Sequence, residues 1–232
     1  MSKNMHEMST DEILEAKTIG LDDVFEFRCK ACGKCCKNRN DLILTPYDVY
    51  RISSYFGRSP EEIVQRYCDV YKGENSHLPI VGVVPVPPDN ACSFLHNKKC
   101  SVHEKKPVVC RVYPLARLRF IDDDSAAKFQ FHGASCKHTP QTVTVREWIG
   151  DVASDEAEQA GKLWLEVVTT LYQLVEKTQD MPPDVQDMIF SILFGGIYLA
   201  YDVKQPFLPQ LRINFNKIKD FLEDMVSVDE SG

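Results

Sequence analysis

Cys29-Lys30-Ala31-Cys32-Gly33-Lys34-Cys35-Cys36 places four thiols within eight residues, flanked by Arg28, Lys37 and Arg39. Each two-residue gap lets a tight turn aim two sulfurs at one centre about 2.3 Å away, and Gly33 frees the backbone to make that turn. Four buried apolar cysteines would require this basic segment to be a core element, which its composition opposes. The adjacent Cys35 and Cys36 project differently. Both serve one centre only with a distorted backbone, so the number of centres stays open.

Working outward, a second group comprises Cys92, Cys100, Cys110 and Cys136, the third of them within Cys110-Arg111-Val112-Tyr113-Pro114. Together the two groups supply the eight thiols of two tetrahedral centres, and Cys68 stands outside both. His96 and His103 lie among the second group, and His132 and His138 flank Cys136. With eight thiols already present, these histidines read as surface or hydrogen-bonded side chains. Four thiolates around a divalent ion leave a net charge of about −2. Arg28, Lys30, Lys34, Lys37 and Arg39 around the first group offset it, as do Lys98, Lys99, Lys105, Lys106 and Arg111 around the second. The same cations also suit an anionic partner.

Nine cysteines in 232 residues, at short spacings, point to metal or redox chemistry in a reducing compartment rather than to disulfides. The opening MSKNMHEMSTDEILEAK has no apolar export segment, so a cytoplasmic location is expected. The longest apolar run, Met188 to Tyr201, is interrupted by Gly195 and Gly196 and falls short of the roughly 18 to 20 residues that span a bilayer. It reads as a buried helix, and no transmembrane segment is expected. Residues 147–232 hold 16 acids against 6 lysines and arginines. That acidic half argues against nucleic acid as a partner, and leaves a protein partner or substrate open.

The remaining pattern is α+β and mainly helical, with short strands and a hairpin in the cysteine-rich part. Residues 1–24 form a short helix or arm, 25–140 the cysteine-cluster metal-binding region, and 141–232 a helical region packed on it as one unit. A strand is expected at Asp41 to Leu44. Thr45-Pro46-Tyr47-Asp48 opens a helix to Phe56, and Ser59-Pro60-Glu61-Glu62 opens another through Tyr67. The proline-rich run from Leu78 to Pro88 suits an edge strand or connector. Leu115 to Ile121 and Ala126 to His132 alternate about Asp122-Asp123-Asp124-Ser125 as a hairpin. Trp148, Val152, Leu163, Trp164, Val167, Leu171 and Val175 form a helical stripe with a break at Gly161. Pro182-Pro183 starts the next helix. A last helix is expected from Ile213 to Met225, with Ile213, Ile218, Phe221, Leu222 and Met225 buried.

Tetrahedral sulfur suits zinc and iron–sulfur centres alike. The two successive two-residue gaps echo the opening of the bacterial ferredoxin run, although there the fourth cysteine follows after three residues and here at once. The spacing therefore tilts slightly toward an iron–sulfur cluster, such as 4Fe-4S, over zinc.

CKACGKCC at 29–36, CSFLHNKKC at 92–100, and Lys106-Pro107-x2-Cys110-Arg111-x-Tyr113-Pro114 resemble the YkgJ-type cysteine-cluster family over about residues 25–140. The resemblance implies a zinc- or iron-chelating protein. It departs from the family's pattern at His103, where an aromatic is common, and at Lys106, where arginine is usual. Arg111 and Tyr113 are the candidate cofactor-binding residues, Tyr113 through a ring packed beside the site. Flagellin lysine methylases are similar in this segment, which implies as an alternative a protein lysine methyltransferase using S-adenosylmethionine. Against that alternative, no glycine-rich loop follows a strand. Catalytic residues are not legible.

Overall fold

The computed structural model describes residues 17–38, 41–119, 127–134 and 139–229. Local capping chemistry starts the first two helices. The Asp48 amide donates to Thr45 Oγ1 at 3.2 Å while the Thr45 amide donates to the Asp48 carboxylate at 3.0 Å, and proline sits first in α1 (Pro46–Phe56). Ser59 and Glu62 repeat this reciprocal box at α2 (Pro60–Tyr67).

Beyond α2 the chain runs as β3 (Cys68–Lys72) and returns as β4 (Pro79–Val83). With β2 (Ile43–Leu44) they form an antiparallel sheet in the order β2-β4-β3. The proline-rich run is thus a central strand, not the edge strand or connector expected from its composition. Pro79 occupies the first position, and Pro85, Pro87 and Pro88 come after the strand. Ile80 to Val83 therefore keep the amides that pairing on both sides needs. Pro79, Val81 and Val83 alternate inward, and Leu44 beside them is fully buried.

Four two-residue strands follow: β5 (Pro85–Val86) pairs with β6 (Ala91–Cys92), and β7 (Leu95–His96) with β8 (Lys99–Cys100). Asn97 and Lys98, both at positive φ, make the two-residue turn between β7 and β8. A single-turn helix α3 (Val108–Val112) leads to the expected hairpin, β9 (Leu115–Leu118) with β10 (Lys128–Phe131). Its turn, Asp122 to Ser125, lies outside the described residues.

Of the expected helix or arm over residues 1–24, only 17–24 are described, and these form no helix. Residues 1–16 lie outside the described residues, but Ile19 bridges to Phe129, and β1 (Val24–Glu26) pairs with β11 (Thr142–Thr144). Burial of Phe25 and Phe27 against Val145, Ile149 and the Trp148 ring favours the extended backbone.

The rest is helical, in agreement with a mainly helical α+β class: α4 (Val145–Ile149), a 3-10 turn at Gly150–Ala153, α5 (Asp155–Glu176), α6 (Pro183–Phe194), a π turn at Gly195–Leu199 and α7 (Phe207–Asp229). Leu163, Val167 and Leu171 of α5 meet Leu211, Phe215, Ile218 and Leu222 of α7. The same core takes in Val49 and Ile52 of α1 and Val81 of β4.

Three helical expectations change. Gly161 breaks nothing and lies within α5, because the buried stripe on either side outweighs the roughly 1 kcal/mol cost of a helical glycine. Its missing side chain leaves room for the Arg119 guanidinium, which reaches Glu158 at 2.6 Å. The last helix begins at Phe207, before Ile213. Its buried stripe runs through Leu211, Phe215, Ile218 and Leu222, which leaves Ile213 exposed and Phe221 and Met225 half-buried. The apolar run from Met188 is α-helical to Phe194 and continues as the π turn to Leu199, and Met188 is exposed. Among the described residues, no helix is long and apolar enough to cross a membrane.

Candidate metal centre

Gly33 adopts φ +69° and turns the chain into a 3-10 turn at Lys34–Cys36. A Cβ there would meet Leu95 only at 3.6 Å, so the demand for glycine is conformational rather than spatial. The turn brings Cys35 Sγ and Cys36 Sγ to 4.0 Å. Metal–sulfur bonds of about 2.3 Å give a tetrahedral site edges of about 3.8 Å. The two adjacent thiols therefore stand at a separation one centre can use. Upstream, the Ala31 amide donates to Cys29 Sγ at 3.3 Å.

Three further segments bring thiols to the same place. The β5/β6 hairpin carries Cys92, the β7/β8 hairpin Cys100 and α3 Cys110. All three line one cavity of about 500 Å³ with Cys29, Cys32, Cys35 and Cys36. Seven of the eight predicted ligands thus share a cavity, and Cys136 lies outside the described residues. The eight described cysteines are reduced thiols. Among the described residues, no three Cys, His, Asp or Glu side chains are gathered tightly enough to form a finished ion cage. The thiols surround a space. Phe27, Phe94, Leu95, Tyr113 and Trp148 supply apolar wall, and Trp148 Nε1 donates to the Tyr113 carbonyl at 3.1 Å.

The lining is basic, and among the described residues no acidic side chain borders it. Lys98, Lys99, Lys106 and His103 do. Several other cations expected to neutralise the thiolates are engaged elsewhere: Lys37 pairs with Asp89, and Lys105 and Arg111 with Asp151. Contact with the Cys35 thiol holds Cys36 below the ordinary thiol range, against burial and the neighbouring Cys100, Cys92 and Cys110, which push it up. Burial raises Cys100, opposed by a bond from the Val102 amide and by the charge of Lys106. Burial also lowers His103, helped by Lys106 and Arg111. His96 does not line the cavity, whereas His138 lies outside the described residues. Cys68 is buried away from the lining, and burial pushes its thiol up to about 12.

Sequence reasoning missed the carboxylates that suspend α3. Asp48, beyond capping α1, accepts the Val108 amide at 2.7 Å and so holds the first turn of the helix that carries Cys110. Asp151 gathers Arg51 at 2.5 Å, Lys105 at 3.2 Å and Arg111 at 3.6 Å, and Arg51 also donates to the Lys106 carbonyl at 3.3 Å. Arg111 therefore faces Asp151, while Tyr113 borders the cavity. Gly150, at φ +53°, lets Arg111 approach: a Cβ there would stand 3.1 Å from its guanidinium. The capping motif disclosed only the first of Asp48's two contacts. Nothing local marks Arg51 or Asp151, because their partners are 55 and 100 residues away.

The donor set of seven thiols, with three lysine charges and a histidine around one space, fits a soft metal centre. Gly195-Gly196, the only glycine pair, lies in the π turn, where Gly196 lets Ile218 pack close. It is not a nucleotide-binding loop. No curated protein and no solved structure matches the chain. A family model described as "Putative zinc- or iron-chelating domain" matches residues 28–146, just over half of the chain and the stretch that carries all seven thiols of the cavity. By that match the chain belongs to the CxxCxxCC family of metal-chelating domains.

Proposed function

We propose that the cavity holds a cysteine-ligated iron–sulfur cluster, with zinc the other metal its donors suit, and that the protein's activity runs through this centre. The observation that carries the reading is the convergence of seven thiols from four segments on one cavity of about 500 Å³. Such a volume falls in the range of about 300–1,000 Å³ typical of small-ligand sites. A single ion with its thiolates needs far less, whereas a cluster brings its own sulfides to fill the space. The two successive two-residue gaps of the knuckle support the same preference.

Cys29, Cys32, Cys35, Cys36, Cys92, Cys100 and Cys110 are the ligand candidates, with Cys136 as an eighth. When bound, the centre supplies one-electron redox or Lewis-acid chemistry; the chain's part is to hold thiolates, neutralise them with Lys98, Lys99 and Lys106, and wall out water with Phe27, Trp148 and Tyr113. Thiols kept reduced imply a cytoplasmic setting.

Anaerobic purification tests the reading. A brown protein with iron and acid-labile sulfide in equal amounts is the expected result. A colourless protein with stoichiometric zinc overturns the cluster in favour of zinc, and a protein that retains neither metal after reconstitution overturns the metal centre altogether.

A further inference from the structure

The thiols account for only part of the cavity wall. Phe27, Leu42, Val83, Phe94, Val102 and Trp148 also border it and offer a metal ion no donor. Its aromatic portion is preformed: the Phe27 and Trp148 rings meet edge to face with centroids 4.9 Å apart, and the Trp148 indole N–H is held by the Tyr113 carbonyl at 3.1 Å. Such a wall, in a cavity of about 500 Å³, suits the body of a small organic molecule.

The cations around the cavity divide in two. Lys37, Lys105 and Arg111 are each paired with a carboxylate, that of Asp89 or Asp151. Lys98, Lys99 and Lys106 border the cavity, and among the described residues none of the three has an acidic partner. Lys98 and Lys99 are exposed at the turn of the β7/β8 hairpin, whereas Lys106 is half-buried ahead of α3. Two groups that would favour a phosphate are already committed. The Val108 amide at the start of α3 is taken by Asp48 at 2.7 Å, and the Arg111 guanidinium faces Asp151. Ammonium point charges beside an apolar wall are what remains, and they suit a carboxylate carried on an apolar body.

We propose that the cavity also binds a small aromatic carboxylate, with its ring against Phe27 and Trp148 and its charge met by Lys98, Lys99 and Lys106. A ring gains edge and face contacts with the indole that an aliphatic chain does not. The inference rests on the metal-centre reading for what the bound molecule meets, as a substrate beside that centre, whereas the binding itself depends only on the wall and the lysines.

Calorimetric titration of the full-length protein with phenylacetate tests this, both on protein as isolated and after a chelator has removed metal. One molecule should bind per chain in both states and quench tryptophan fluorescence. Phenylacetamide keeps the ring without the charge, and acetate keeps the charge without the ring. Each should bind at least about tenfold more weakly. The variant Lys98→Gln/Lys99→Gln/Lys106→Gln should weaken phenylacetate about tenfold and leave phenylacetamide unchanged, a split that a merely structural effect would not produce. The ligand comparison is made on the unmodified chain and stands whether or not the variant folds. No saturable binding, or phenylacetamide binding as tightly as phenylacetate, overturns the inference. Binding to the chelated chain alone does so too, because the metal centre would then fill the same space. Phenyl phosphate binding more tightly than phenylacetate overturns the carboxylate assignment. If phenylacetate binds as described to a chain that never retains metal, the metal-centre reading fails and the anion site stands; a metal-loaded chain that does not bind phenylacetate means the reverse.

Discussion

At the scale of single residues, burial separates cysteines that the sequence presents as chemically alike. Cys68 is 8% exposed and its thiol is pushed up to about 12, so at neutral pH it is a small protonated apolar side chain. Cys110 is half-buried on the cavity wall. Replacement by serine should tell the two roles apart. Cys68→Ser puts a hydroxyl into packed surroundings and should cost about 1–3 kcal/mol with or without metal. Cys110→Ser should change the metal-free stability by less, about 0.5–1 kcal/mol, and remove several kcal/mol of the extra stability that metal loading confers. Urea unfolding of both variants, with and without a chelator, measures this. A Cys110→Ser penalty that is the same in both conditions would argue against Cys110 as a ligand.

At the scale of elements, α3 is five residues long, too short to be helical alone, and depends on what holds it. Asp48 fixes its first turn, and the Asp151 cluster fixes Arg111 near its end. Burial pushes the Asp151 carboxyl up, but the charge of Arg51 and the bonded Lys105 more than offset this, and its pKa lies below the ordinary 3.8. A carboxyl lowered in the folded state stabilises above its unfolded pKa, and that stabilisation is lost as pH falls through the lower folded value. Asp151→Asn should therefore cost about 1–3 kcal/mol at neutral pH, a range reduced for partial solvent screening. The gap between variant and wild type should narrow as pH drops below 3.8. Urea midpoints measured on both proteins across that range check the prediction, and a gap independent of pH would rule out the carboxylate charge as its cause.

At the scale of the whole molecule, the helical part and the thiol-bearing part differ in what stabilises them. α5 and α7 interlock through Leu163, Val167, Leu171, Leu211, Phe215 and Leu222, contacts that owe nothing to a metal. The knuckle and the two small hairpins bury far less, and their two-residue strands are marginal without further support. Removing metal with a chelator should accordingly speed amide hydrogen exchange in residues 28–37 and 91–112, while the centres of α5 and α7 stay protected. Uniformly faster exchange over the whole chain would mean that the metal centre and the helical core unfold as a single unit.

What the sequence by itself determined is what local chemistry decides. The two capping boxes place α1 and α2 because their donors and acceptors lie three residues apart. The alternation of β9 and β10 specifies a hairpin, and the knuckle announces its thiols because Gly33 and the two-residue gaps act within one turn. Only the tertiary structure decided matters that depend on distant partners. Pro79 opens a central strand because β2 and β3 flank it, Gly161 stays helical because the stripe on either side is buried against the core, and Asp48 serves a second helix 60 residues on. The packing of Cys36, Cys92, Cys100 and Cys110 against the core, with Cys29 and Cys32 exposed, is of the same kind. Spacing shows that thiols can meet, whereas packing against a shared core decides which of them are anchored and which are exposed.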